Sequence, residues 1–212
     1  MSYQELTKSI KSDKPVAVLL ADEMVSDALK PVYGHMCKAS LLIDGKTLLE
    51  RTLEELSELG IEQCIILAGI NAYEISGDID RMAYPEMNIN VFHYARVLSQ
   101  VLQEFQSMSI PNGMLIVEVN NLRNQRIGRF MKEATRSDYV LLQAVSEGRG
   151  CGLTLLKPTE SQHIQNAMPV VLDDLVISKL DTLEEVRDVS FNLKCDKYFY
   201  SREEAVIESR IN

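Results

Sequence analysis

The residues best placed for chemistry lie in one short run, Asp22-Glu23-Met24-Val25-Ser26-Asp27, directly after the apolar stretch Val16-Ala-Val-Leu-Leu-Ala21. A loop in that position, at the carboxyl end of a first strand, is where open parallel sheets place ligands. Cradling a phosphate there would need glycines, so that backbone amides can approach the anion closely. No glycine occurs before Gly34, and Asp22, Glu23 and Asp27 would repel a phosphate unless a metal intervened. Metal-assisted transfer would want carboxylates at strand ends near this loop. After the apolar run Met114–Val119 the chain instead supplies Asn120 and Asn121, amides that bind Mg²⁺ weakly. Glu118 sits within that run, and Asp173, Asp174 and Asp181 remain as acidic candidates, most simply read as surface acids.

Other chemistries have less to stand on. His35, His93 and His163 show no serine or cysteine at a catalytic spacing, so no triad is expected. Cys37, Cys64, Cys151 and Cys195 form no CxxC pair, which argues against zinc and suits a reducing cytosol. Cys64 falls in an apolar run and reads as a core thiol. Glu147-Gly-Arg-Gly-Cys-Gly152 has the look of a glycine loop, but it lies between two strands and reads as a hairpin turn.

The elements that must position these residues follow from periodicity. Val16–Ala21 has strand length, and a loop of roughly twenty-five residues follows it. Thr47 and Glu50 make a capping box, and Leu49, Leu53, Leu56 and Leu59 form one apolar stripe that ends at Gly60. Gln63–Gly69 is a second buried strand, so strand, helix and strand imply a right-handed parallel unit. Further on, strands are expected at Asn88–Phe92, Met114–Val119, Tyr139–Val145 and Gly152–Leu156, with one or two in Pro169–Leu180. Helices are expected within 71–87 and over Ala95–Met108, Asn124–Ala134, Leu183–Asp188 and Ser201–Ser209. Residues 1–14 read as a short helix or a mobile arm.

At 212 residues, with 46% hydrophobic and 25% charged residues, the chain suits one domain spanning 1–212. A net charge of −9 argues against general nucleic-acid binding. Arg123, Arg126, Arg129 and Lys132 recur at helical spacing and read as a solvated face. The N-terminus lacks the apolar core of a secretory signal, and no apolar run approaches the length of a membrane span. No membrane partner is expected.

Residues 17–59 resemble the first half of the nucleotidyltransferase fold found in sugar-phosphate nucleotidyltransferases and the molybdenum-cofactor guanylyltransferase. The likeness is carried by Ala17–Ala21, Pro31, Lys38-Ala39, Leu41–Lys46 and Leu48–Leu53. It implies a three-layer α/β/α architecture on a mixed, mostly parallel sheet. Lys38 is similar to the family's phosphate-contacting lysine. The departures are specific: the Gly-Gly-x-Gly-Thr-Arg loop is replaced by Asp22–Asp27, and the metal-holding aspartate falls at Asn120. The chain is most similar to a degenerate branch, the N-terminal domain of the epsilon subunit of the eukaryotic exchange factor for translation initiation factor 2. That likeness rests on Ala21-Asp22-Glu23, Asn124-Gln-Arg-Ile127, Asp174–Ser178 and Tyr198–Glu204. It implies a non-catalytic or weakened module of assembly or regulation in the cytoplasm, with protein partners in a larger complex. No catalytic residue, metal ligand or cofactor is then expected, and any retained nucleotide would meet Asp22, Glu23, Lys38 and Asn120. The alternative is an active Mg²⁺-dependent nucleotidyltransferase acting on a sugar phosphate, with Asp22 or Asp181 holding the metal.

Overall fold

The computed structural model describes residues 13–82, 84–94, 96, 98–106, 112–123, 127–158, 167–172 and 177–193. Its centre is a seven-stranded sheet. The strands are β1 (Val16–Leu20), β4 (Gln63–Leu67), β5 (Asn88–Phe92), β6 (Met114–Glu118), β8 (Leu141–Ser146), β9 (Arg149–Leu156) and β10 (Met168–Val171). Their order across the sheet is β10-β8-β9-β6-β1-β4-β5, and only β9 runs against the rest. Two small antiparallel pairs are separate from it: the hairpin of β2 (Leu42–Ile43) with β3 (Lys46–Thr47), and the long-range pair of β7 (Leu122–Arg123) with β11 (Ile177–Ser178).

The helices are α1 (Lys30–Tyr33), α2 (Leu48–Glu58), α3 (Ala72–Ile79), α4 (Leu98–Gln106), α5 (Ile127–Thr135) and α6 (residues 183–193). β1 is buried on both faces, as a central parallel strand must be. Ala17 and Leu19 join the larger core layer with Leu49, Leu53, Leu56 and Phe130, whereas Val16, Val18 and Leu20 join the other, with Val101 of α4. Helices on both faces make the third layer.

α2 forms as its sequence requires. Thr47 Oγ1 accepts from the Glu50 N–H at 3.0 Å and Glu50 Oε2 accepts from the Thr47 N–H at 3.4 Å, so two orphan amides are satisfied. Gly60, at φ +70°, ends it in the left-handed region. Glu55 Oε1 then accepts from Ile127 N–H at 2.6 Å, which caps α5 from a neighbouring helix.

The structure corrects the reading of the first connection. Residues 21–47 are not one long loop but α1, a 3₁₀ turn over Lys38–Ser40 and the β2–β3 hairpin. Asp44 and Gly45, at φ 48° and 79°, make the tight two-residue turn that hairpins favour. β7 was not legible as a strand because it is two residues long, whereas β10 and β11 are the short strands expected near Pro169–Leu180. α6 extends past Asp188 because Val186 and Val189 both pack inward. The region 201–209 lies outside the described residues, as do 1–12.

Candidate functional site

The carboxyl ends of β1 and β6 bring the sequence candidates together. Past Leu20 the chain stays tied to the sheet, because Ala21 N–H donates to Leu67 O at 3.0 Å. It then zips onto residues 36–38. Val25 N–H donates to Met36 O at 3.1 Å, Lys38 N–H donates to Glu23 O at 2.8 Å, and Met24 bridges Cys37. The buried Cys37 thiol donates to Ala21 O at 3.1 Å, and burial pushes its pKa up to about 11. Val25 and Leu29 are buried in the core, which explains apolar residues among the acids. The loop that would cradle a phosphate is thus a packed structural turn, with the amides of Val25 and Lys38 already bonded.

Lys38 is the centre of the cluster. Its side chain is only 3% exposed, and its ammonium lies 2.6 Å from Asp181 Oδ1 and 3.2 Å from Glu23 Oε1. Glu23 Oε2 accepts from Asn120 Nδ2 at 2.7 Å, and Asn120 Oδ1 accepts from Asn121 Nδ2 at 2.8 Å. Asp181 is set just ahead of α6, whose start is fixed by Thr182 and Glu185: Glu185 Oε2 accepts from the Asp181 and Thr182 amides at 2.8 and 2.9 Å. Ser26 Oγ donates to the Asp181 carbonyl, a further tie between the loop and the segment before α6. Asp22 lies nearby, its carbonyl accepting from Asn71 Nδ2 at 3.3 Å. Asp27 points away and pairs with Lys30 at 2.5 Å, whose hydrogen bond holds the exposed carboxyl below the usual carboxylate range.

The structure therefore brings Glu23, Lys38 and Asn120 into one network, with Asp22 beside it. It adds Asp181, most simply read from the sequence as a surface acid and as a metal holder only in the active alternative, and Ser26, which was given no role. The donor set does not suit Mg²⁺, which favours several oxygen ligands in an octahedron. Glu23 and Asp181 face an ammonium, the Asn120 carbonyl accepts from Asn121, and no group of three metal-ligating side chains is assembled among the described residues. Glu118 is half-buried on the Met114 and Ile116 side of β6, the opposite face from Val117. His93 is exposed and stacks edge-on against Tyr73 at 4.8 Å, and His35 is exposed. His163, Arg126, Asp173 and Asp174 lie outside the described residues. A cavity of about 530 Å³ lies at the opposite end of the sheet, lined by Pro15, Leu59, Asn112 and Lys157, and shares no residue with the Lys38 network.

No protein-family model matches the chain, and no curated protein matches it in sequence. Solved structures do match its fold. HddC from Yersinia pseudotuberculosis superposes with a TM-score of 0.62 at 13% identity, covering 84% of this chain and 99% of that one. UDP-glucose pyrophosphorylase from Acinetobacter baumannii gives 0.66 at 10% identity, covering 92% and 99%. The inositol-1-phosphate CTP transferase from T. maritima gives 0.59 at 11% identity, covering 87% and 98%. The chain thus has the α/β fold of nucleotidyltransferases, with a mixed, mostly parallel sheet. Identities this low speak for the fold and leave the activity to the site. Among the described residues no helix is long and apolar enough to cross a membrane.

Proposed function

We propose that this chain is a nucleotidyltransferase-like module whose former transfer site serves as an internal tie, and that it works through protein partners. One observation carries the reading. The lysine that would meet a phosphate is buried between two carboxylates of its own chain, Glu23 and Asp181. Two carboxylates, Glu23 and Asp181, hold one ammonium, so an incoming triphosphate meets net repulsion where catalysis would need preorganised positive charge. Nucleotide binding is accordingly weak or absent.

The partner reading rests on sequence. Ala21-Asp22-Glu23 supports a place beside the exchange-factor epsilon subunit and hence in assembly or regulation of translation initiation in the cytoplasm. Of the other stretches behind that likeness, Ile127, Ile177 and Ser178 are described, and residues 124–126, 174–176 and 198–204 lie outside the described residues. The reduced thiols of Cys37 and Cys64, both buried, suit a reducing compartment.

Turnover is the test. The chain is incubated with Mg²⁺, each nucleoside triphosphate and a panel of sugar phosphates, and pyrophosphate release is followed. Release at the buffer rate is expected. Acceptor-dependent release that disappears in Lys38→Ala would establish the active alternative instead.

A further inference from the structure

The two margins of the large sheet are built differently. β10 is four residues long and carries Pro169. β5, at the other margin, is Asn88-Ile-Asn-Val-Phe92, with no proline and no charge. Edge strands are usually blunted by proline, lysine or a bulge, because an open row of N–H and C=O groups templates pairing with another chain.

The register identifies the open groups. Asn88 N–H donates to Glu62 O at 2.8 Å, and Phe92 O accepts from Ala68 N–H at 3.1 Å. In a parallel pair, alternate residues turn both main-chain groups to the same side. With Gln63 opposite Asn88 and Leu67 opposite Phe92, residues Asn88, Asn90 and Phe92 face β4. The N–H and C=O of Ile89 and Val91 therefore face away from the sheet, and among the described residues no strand pairs with them. Ile70 and Tyr73, 87% and 82% exposed, lie close by, and the Tyr73 ring stands against His93, the residue that follows β5.

We infer that this margin binds a second copy of the chain, β5 to β5, antiparallel about a two-fold axis at Asn90. The spacing of the open groups is self-complementary under that symmetry. Ile89 of one copy faces Val91 of the other, and the pair exchanges both main-chain hydrogen bonds. The symmetry repeats the exchange, for about four bonds in all. The two Asn90 side chains meet at a non-hydrogen-bonded position, where side chains come closest. An amide both donates and accepts there, whereas a lysine or glutamate would face its own charge. Asn90 Nδ2 already donates to Asn88 Oδ1 at 3.3 Å, which holds it on that face.

Sedimentation velocity over a concentration series, with hydrogen exchange read at single residues, tests this on the full chain. The expected result is a monomer–dimer equilibrium in which the Ile89 and Val91 amides slow their exchange as dimer forms. Val91→Pro removes one outward N–H from each copy without touching the β4 ladder, and should raise the dissociation constant about 30-fold. Asn90→Lys, which leaves the backbone intact, should weaken it by about two- to fivefold. A monomer at every concentration with fast exchange at Ile89 and Val91 would overturn the proposal. So would a dimer indifferent to both substitutions, or a monomer that engages a different protein along this edge.

Discussion

Removing the partners of Lys38 should cost more than removing Lys38. Its ammonium is almost fully buried, while the Glu23 and Asp181 side chains are each 48% exposed. Taking away both carboxylate charges, in Glu23→Gln with Asp181→Asn, strands a cation in a poorly solvated place; breaking a buried pair in this way costs about 3–5 kcal/mol. Each single substitution leaves one carboxylate in contact and, discounted for half exposure, should cost about 1–2 kcal/mol. Lys38→Met removes the buried charge and fills its volume with an apolar side chain. The acids left behind are half in water, so the cost should be about 0–2 kcal/mol. The four variants and the parent are compared by urea unfolding at neutral pH, reading the midpoint at constant slope. The predicted order of stability is parent, then Lys38→Met, then the double variant. If Lys38→Met were less stable than the double variant, the ammonium would be stabilising beyond its own desolvation, contrary to the dependence of Lys38 on its partners.

Three further outcomes follow from local geometry. Thr47→Ala removes the Oγ1 acceptor of the Glu50 N–H at the start of α2, while the residue 47 N–H keeps its bond to the Glu50 carboxylate, and should cost about 1 kcal/mol, seen as a lower urea midpoint. Gly113→Ala should cost more than about 2 kcal/mol, since its Cβ would sit 2.4 Å from Leu156 O at φ +80°; Gly148→Ala, with φ +74° but nothing within 4 Å, should cost only about 1 kcal/mol. Alkali should destabilise the fold through Cys37. The unfolded thiol titrates near 9.0 and the native one at about 11, so the unfolded chain loses its proton first. The Cys37 contribution is then full below about pH 9 and falls by about 2–3 kcal/mol as the pH rises toward 11; the Cys64 thiol, also pushed up by burial, adds a decline of the same sign, so Cys37→Ala should lessen but not abolish the fall in urea midpoints measured across the range. The half-buried Tyr84 hydroxyl, pushed up to about 12 by desolvation and by Glu54 and Glu50, acts in the same direction at higher pH.

Much of the scaffold was legible because it follows short-range rules. The stripe Leu49, Leu53 and Leu56 is buried as its spacing implies, β4 pairs parallel to β1, and Glu147-Gly148 turns the hairpin between β8 and β9 with both residues at positive φ. Asp22 to Asp27 was legible as a place where a phosphate cradle is missing. What replaces the cradle was not. Lys38 and Asp181 are 143 residues apart in sequence, and no local pattern says that the start of α6 returns to the end of β1. Asp181 on its own is one acid among many, so its role depends on the tertiary contact. The zip between residues 23–25 and 36–38 was missed for a related reason: its one bridge, Met24 to Cys37, is too short to show any alternation. Val25 and Leu29, apolar residues inside an acidic stretch, were the available signal that this loop packs inward.

The central claim is that Lys38 is committed to Glu23 and Asp181 and so does not receive a nucleotide. Isothermal titration of the chain with ATP, GTP, CTP and UTP, with and without Mg²⁺, addresses it most directly. The expected result is no saturable heat for any of the four under either condition. Saturable binding that requires Mg²⁺ and is lost in Lys38→Ala would contradict it, since the ammonium would then be exchanging its own carboxylates for a phosphate.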